Sequence, residues 1–212
     1  MKQKYYIDTN KFLTFIVVLF MMNHFCTWRN LTSWVYLSLH GTYGIMWVIK
    51  SNIFPDKSWE KKASVWYGLY LFFGMFLYWV SPFLINSGYF NGGEPVSITY
   101  PRIFGIITMY IFGVFIHFSS DMYKYTHLKL RPKKLISGNM FKYSRNINYF
   151  GELLIYLSFA MLSDHWLPIL ILFLIVVVVW YPNMVKKDLS LSRYDGFQEY
   201  KEKSYLFIPF VY

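Results

Sequence analysis

Residues 65–85 read VWYGLYLFFGMFLYWVSPFLI, a run without a single charged side chain. An α-helix needs about 20 such residues to cross the hydrocarbon core of a bilayer. Five further apolar segments occur in the 212-residue chain, at Phe12–Cys26, Leu31–Ile49, Ile103–Phe118, Tyr149–Leu162 and Leu167–Tyr181. Hydrophobic residues make up 56% of the chain and charged residues 15%, which is not the balance of a soluble domain. We therefore predict an all-α, polytopic membrane protein with about six transmembrane helices.

The connections between these segments alternate between rich and poor in Lys and Arg. The rich connections hold Lys2, Lys4 and Lys11, then Lys57, Lys61 and Lys62, then the run from Lys124 to Arg145, and finally Lys186, Lys187, Arg193, Lys201 and Lys203. The intervening connections offer Arg29, then residues 86–100 with only Glu94, then Asp164 and His165. Cytoplasmic loops are enriched in Lys and Arg, so the alternation predicts that both termini are cytoplasmic.

The composition excludes several other classes. The single cysteine, Cys26, cannot form an internal disulfide, and the five histidines lack the spacing that pairs two ligands on one helical face, so we predict no metal site. The formal net charge of +10 is spread between apolar segments, which predicts membrane lipids and not nucleic acid as partners. No linker composition interrupts the chain, and we predict a single membrane domain over residues 1–212.

Three sets of polar side chains recur at helical spacing inside apolar segments. They are His40, Tyr43, Trp47 and Lys50; His117, Asp121 and Lys124, at the end of the fourth segment; and Asn148, Glu152 and Tyr156. Ionisable groups at membrane depth are costly and normally face a cavity or a partner. Each set is therefore either a functional site or a polar helix-packing stripe. The basic run 128–145 also has two interpretations. It binds either the anionic headgroups of lipids or the phosphates of a cofactor.

The stretch GNMFKYSRNINYFGE, residues 138–152, resembles the signature of the steroid 5α-reductase family and its sterol-reductase relatives. In that family a Gly-x-x-Phe-x-Tyr element leads into Asn-Tyr/Phe-x-Gly-Glu. Residues 117–121, HFSSD, are similar to the family's Asn-x-x-Ser-Asp element, and 200–204 with 208–210 are similar to its closing motif. The resemblance covers about Ile103 to Tyr212.

The resemblance implies a membrane reductase of the endoplasmic reticulum that binds NADPH in a polar cavity and takes a lipid-like enone from the bilayer. Residues 1–100 would form the substrate side and residues 101–212 the cofactor side. By motif position the cofactor contacts would be Asp121, Tyr143, Arg145, Asn148, Glu152 and Tyr200, with Lys124 and Arg131 as nearby cations.

His40 and Tyr43 lie where the family has a His-Tyr element on an early helix. We therefore predict that they are catalytic, with Tyr43 as the donor to the substrate oxygen. The family also uses a glutamate on an early helix to engage the substrate carbonyl. No acidic residue occurs here between Asp8 and Asp56, which argues against steroids in particular as substrates.

Two alternatives stay open. Prenylcysteine and phospholipid methyltransferases, which use S-adenosylmethionine, share a similar helical core. Their Arg-His-Pro-x-Tyr pattern reads Arg145-Asn146-Ile147-Asn148-Tyr149 here, and Lys187-Asp188 stands where they have a Glu-Glu pair. The missing early carboxylate also fits a non-catalytic membrane subunit that retains the fold. The sequence identifies no protein partner.

Overall fold

The computed structural model describes residues 1–211 and contains no β-strand within them. The α-helices are α1 (Gln3–His24), α2 (Leu31–Tyr36), α3 (Thr42–Ile53), α4 (Val65–Gly74), α5 (Val80–Ser87), α6 (Tyr100–Leu130), α7 (Ile147–Met161), α8 (Trp166–Ile175), α9 (Tyr181–Leu191) and α10 (Phe197–Lys203). Short π-helical turns join α2 to α3 (Leu37–Gly41) and α8 to α9 (Val176–Trp180), and 3₁₀ turns occupy Met75–Trp79 and Asn139–Lys142. The six apolar segments therefore correspond to six continuous helical rods.

Four of these rods are long and apolar enough to cross a membrane, namely Gln3–His24, Val65–Ser87, Tyr100–Leu130 and Trp166–Leu191. This confirms the prediction of an all-α polytopic membrane protein. The number of six spans and the cytoplasmic position of both termini remain predictions.

Two helices extend beyond their predicted bounds. We expected the fourth segment to end at Phe118, but α6 continues to Leu130, so His117, Asp121 and Lys124 lie inside a helix. The first helix also begins earlier than the apolar segment at Phe12: α1 starts at Gln3, and the Asp8 carboxylate within it accepts hydrogen bonds from α3.

The chain divides into two compact units. The first contains Met1–Thr108 and Leu157–Ile169, and the second contains Met109–Tyr156 and the described residues from Leu170 onward. The predicted division of the chain near residue 100 into a substrate side and a cofactor side remains a prediction.

In the first unit α1 packs closely against α3. A Cβ atom on Gly44 would lie 2.0 Å from the carbonyl oxygen of Lys11, so only glycine allows this approach. Polar side chains bridge the helices where they meet: Trp47 Nε1 donates to Asp8 Oδ1 at 3.1 Å, and Ser51 Oγ donates to Asp8 Oδ2 at 2.8 Å. Satisfying polar groups internally is the condition for burying them at membrane depth.

Candidate active site

The second unit contains the close contact of α6 with α7 that builds the candidate site. A Cβ on Gly151 would lie 2.6 Å from the backbone nitrogen of His117 and 2.9 Å from the carbonyl oxygen of Gly113. Small residues facing each other let two membrane helices approach to backbone contact. The polar side chains one turn away on each helix are thereby brought within hydrogen-bonding reach.

His117, Asp121 and Asn148 meet at this contact. His117 Nδ1 donates to the carbonyl oxygen of Asn148 at 3.0 Å, and Asn148 Nδ2 donates to Asp121 Oδ1 at 3.2 Å. His117 Nε2 lies 3.8 Å from Asp121 Oδ2, and both side chains are buried. Two of the three predicted stripes therefore converge in one polar cluster.

We expect Gly151→Ala to lower the free energy of unfolding by about 1–3 kcal/mol, the usual cost of overpacking a dense contact. The new methyl group would press on backbone atoms of α6, which cannot move without separating the helices. Gly105→Ala is the control, because Gly105 lies on α6, the helix against which Gly151 packs, and a Cβ there has no neighbour within 4 Å. Thermal unfolding of the detergent-solubilised protein measures the difference, and equal melting temperatures for the two variants would contradict the close contact.

Glu152 and Lys124 extend the cluster along the two helices. Glu152 follows Asn148 by one turn on α7, and Lys124 follows Asp121 by one turn on α6. Both side chains are partly buried. Helical spacing therefore puts Glu152 on the face of Asn148 and Lys124 on the face of Asp121.

The structure gives Arg145 protein partners. Its Nε donates to both carboxylate oxygens of Asp188 at 3.2 and 3.0 Å, and its Nη1 donates to the carbonyl oxygens of Lys201 and Ser204. The side chain is buried. Arg145 thus joins the turn before α7 to α9 and to the end of α10.

Two residues that sequence reasoning left unassigned hold the same turn. Lys187 Nζ donates to the carbonyl oxygen of Arg145 at 2.7 Å and to Asn146 Oδ1 at 3.0 Å. Asn146 is fully buried, and its Nδ2 donates to the carbonyl oxygen of Leu206 at 2.9 Å. The only sequence signal for this arrangement was the pair Lys187-Asp188 at the end of a membrane-length apolar helix.

Tyr200 has a structural partner as well. The side chain is buried in α10, and its hydroxyl donates to the carbonyl oxygen of Phe141 at 2.8 Å. Burial raises the pKa of the Tyr200 phenol well above its ordinary value. A neutral phenol therefore fixes the 3₁₀ turn that precedes the Tyr143–Asn146 segment.

The raised pKa of Tyr200 makes stability fall at alkaline pH. The phenol of the unfolded chain ionises near pH 10, whereas the folded protein keeps its proton, so this contribution is full below pH 10 and declines above it. Tyr200→Phe should cost about 1 kcal/mol at pH 7 through the lost hydrogen bond. Between pH 10 and 11 the unfolding free energy of the wild type should fall by up to about 1.4 kcal/mol more than that of Tyr200→Phe. Chemical denaturation at several pH values measures both effects, and parallel pH profiles would contradict the assignment.

Tyr143 and Arg131 lie at the surface of the second unit. Tyr143 is exposed, with the Lys142 ammonium 4.6 Å from its ring centroid. Arg131 is exposed directly after the last residue of α6. Neither side chain is tied to the protein core, so both are accessible from solution.

His40 and Tyr43 belong to the first unit and are buried there. His40 Nδ1 lies 2.7 Å from the Tyr36 hydroxyl, and its ring stacks on Phe159 with centroids 4.1 Å apart. Lys11 Nζ lies 3.4 Å from the Tyr43 hydroxyl. The π-helical turn at Leu37–Gly41 contains His40, and such bulges are frequent at functional sites.

These features define a polytopic helical membrane protein with a buried polar cluster between two helices of its C-terminal half. The family model for 3-oxo-5-alpha-steroid 4-dehydrogenase matches residues 66–212, which is more than half of the chain, and the chain belongs to this family. A search of curated proteins found no match. The protein is therefore a membrane enzyme of the steroid-reductase type, an oxidoreductase class that acts on CH–CH groups. The match begins at Trp66, so it does not include α1 to α3 with His40 and Tyr43.

Proposed function

We propose that this enzyme uses NADPH to reduce a C=C bond conjugated to a carbonyl group in a steroid or another lipid-like substrate, in the endoplasmic reticulum membrane. The family assignment supports the reaction class, and it favours a reductase over a methyltransferase that uses S-adenosylmethionine. The observation that carries the proposal is the convergence of Asp121 and Asn148, with Glu152 one turn further, on the facing sides of α6 and α7.

The residues of the cluster fit a nicotinamide nucleotide. Asn148 Oδ1 is buried and has no hydrogen-bond partner within residues 1–211, which leaves one acceptor in the cluster available to an amide or hydroxyl donor. The carboxylates of Asp121 and Glu152 are further acceptors of the kind that bind ribose hydroxyls. A carboxamide and two riboses present such donors.

The phosphate groups of NADPH need cationic side chains as partners. The structure removes Arg145 from the set that we propose for this role. Arg145 already binds Asp188 and two backbone carbonyls. Lys124 on α6 and the exposed Arg131 after it remain our candidates for the phosphate groups. Arg can bind a phosphate through two parallel hydrogen bonds, which suits the ribose phosphate that distinguishes NADPH from NADH.

Bound NADPH would supply the hydride for the β-carbon of the substrate. The chain contributes position and electrostatics: Asp121, Asn148 and Glu152 would orient the nucleotide, and a hydrogen-bond donor would stabilise the negative charge that develops on the substrate oxygen. We assign that donor to the hydroxyl of Tyr43. The Lys11 ammonium lies 3.4 Å from the Tyr43 hydroxyl oxygen. Tyr43 is buried, so its role requires that substrate entry opens the packing around it.

Tyr43→Phe should lower kcat by about tenfold to a hundredfold while leaving the NADPH affinity unchanged, because the proposed hydrogen bond strengthens only as charge develops. Steady-state kinetics of the reconstituted enzyme, with NADPH binding measured separately, test this. Tyr70→Phe is the matched control, since Tyr70 is exposed in the same unit. A loss of NADPH affinity equal to the loss of kcat would show that Tyr43 acts by packing.

The reaction itself is tested in proteoliposomes that contain the purified full chain. NADPH deuterated at C4 of the nicotinamide is supplied with a 3-oxo-4-ene steroid or with a long-chain 2-enal. We expect a product two hydrogens richer, with deuterium from NADPH on the β-carbon of the former double bond and a proton from water on its α-carbon. Transfer of a methyl group from S-adenosylmethionine instead, or bound NADPH with no reduction of either substrate class, would overturn the proposal.

A further inference from the structure

A groove of about 820 Å³ lies in the second unit, bordered by α9, α10 and the segment after α10. Its volume is within the range of about 300–1,000 Å³ that small-molecule sites occupy. None of Asp121, Asn148 or Glu152 lines it, so it is separate from the cluster between α6 and α7. The proposed reaction does not use this groove.

Helix α9 forms one wall of the groove and presents apolar side chains there. Leu189 and Val185 line it, and the Leu189 side chain is 71% exposed. The neighbouring Lys187 binds the carbonyl oxygen of Arg145 and Asn146 Oδ1. Asp188 lines the groove and is paired with Arg145. Exposed apolar side chains such as Val185 and Leu189 are suited to contact with the acyl chains of lipids.

The position of α9 along its rod agrees with this. The rod begins at Trp166 and continues to Leu191. At a rise of about 1.5 Å per residue, Val185 lies about 30 Å from Trp166, which is the thickness of the hydrocarbon core. A hydrocarbon core that begins at Trp166 would therefore end near Val185 and Leu189, on the cation-rich end of the rod.

Among residues 1–211, the charged groups that line the groove include one cation, Lys201, for which no ion pair is formed. Of the charged residues that line it, Arg145 and Asp188 bind each other, whereas Lys201 is exposed. Ser192 and Gln198 line the same side and supply hydroxyl and amide donors. A cation with neighbouring donors suits a phosphate group at headgroup depth.

We propose that this groove binds an anionic glycerophospholipid of the surrounding bilayer. One acyl chain lies against Val185, Leu189 and Val211, and the phosphate lies at Lys201. The apolar wall favours a lipid, because an acyl chain covers exposed valine and leucine side chains and the phosphates and riboses of a nucleotide do not.

The test uses the purified full chain in detergent and short-chain lipids as probes. Dioctanoyl phosphatidylserine should bind at least tenfold more tightly than dioctanoyl phosphatidylcholine. Lys201→Glu should weaken binding of the serine lipid about tenfold, and Leu189→Gln should weaken both lipids. Both positions are exposed, so the melting temperatures without lipid should match that of the wild type.

Lys133→Glu is the matched control, with the same charge change on an exposed lysine of the basic loop after α6. It should change the affinity for the serine lipid less than twofold. Equal weakening by Lys133→Glu and Lys201→Glu would mean bulk attraction to a basic surface and would overturn the proposal. Displacement of the lipid by NADPH would overturn it too, because the groove would then be part of the nucleotide site.

Discussion

Replacement of Arg145 by methionine is expected to lower the free energy of unfolding by about 3–5 kcal/mol, which is the cost of leaving one partner of a buried ion pair alone. The variant leaves the Asp188 carboxylate without the two hydrogen bonds from Arg145 Nε. It also removes the donors to the carbonyl oxygens of Lys201 and Ser204. Thermal unfolding in detergent should show a large drop in melting temperature and a reduced yield of folded protein.

Two control variants test whether the loss of the buried Arg145–Asp188 ion pair causes this drop in stability. Lys203→Met breaks the exposed pair with Glu199 and should leave the melting temperature nearly unchanged, because solvent screens such pairs. The double variant Arg145→Met/Asp188→Leu removes both charges and should recover part of the stability lost in Arg145→Met. If Arg145→Met melts like the wild type and binds NADPH more weakly, the guanidinium is a cofactor ligand and not a structural tie.

The second large effect is expected from Asn148→Ala combined with Glu152→Gln, which should weaken NADPH binding about a hundredfold, equivalent to about 2.7 kcal/mol. Asn148→Ala removes the buried acceptor Oδ1 and the donor to Asp121. Glu152→Gln keeps the shape of the side chain while it removes the negative charge. Both side chains lie on one face of α7, so the two changes act on the same ligand.

Equilibrium binding of NADPH to the purified variant measures this effect. Asn183→Ala, at an exposed position of α9, should leave the affinity unchanged. The double variant should still insert in the membrane and unfold cooperatively, because α6 and α7 keep their glycine contact. Unchanged NADPH affinity in the double variant would place the cofactor elsewhere.

The helices and two of the polar stripes could be predicted from the sequence because both depend on local periodicity. Uncharged runs such as 65–85 determine the rods, and the spacing of three and four residues determines which side chains share a face. The spacing of Asn148 and Glu152 on α7 was visible in this way. That this face meets Asp121 followed only from Gly151 and Gly113, whose role appears when the two helices are packed.

The role of Arg145 could not be predicted, because its partners are distant in sequence. Asp188 is 43 residues away and Ser204 is 59 residues away. A motif position gives the residue type but not whether the guanidinium faces a ligand or a carboxylate of its own chain. The extension of α6 to Leu130 was missed for a related reason, since its last turns are polar and hydropathy no longer marks them.

The most direct test of the proposed function is the melting temperature of the purified full chain with NADPH, NADH or S-adenosylmethionine. A ligand at a hundred times its Kd adds about 2.7 kcal/mol to the stability of the folded state. We predict that NADPH raises the melting temperature by several degrees, that NADH raises it less, and that S-adenosylmethionine leaves it unchanged. Stabilisation by S-adenosylmethionine alone, or by none of the three, would contradict an NADPH-dependent reductase.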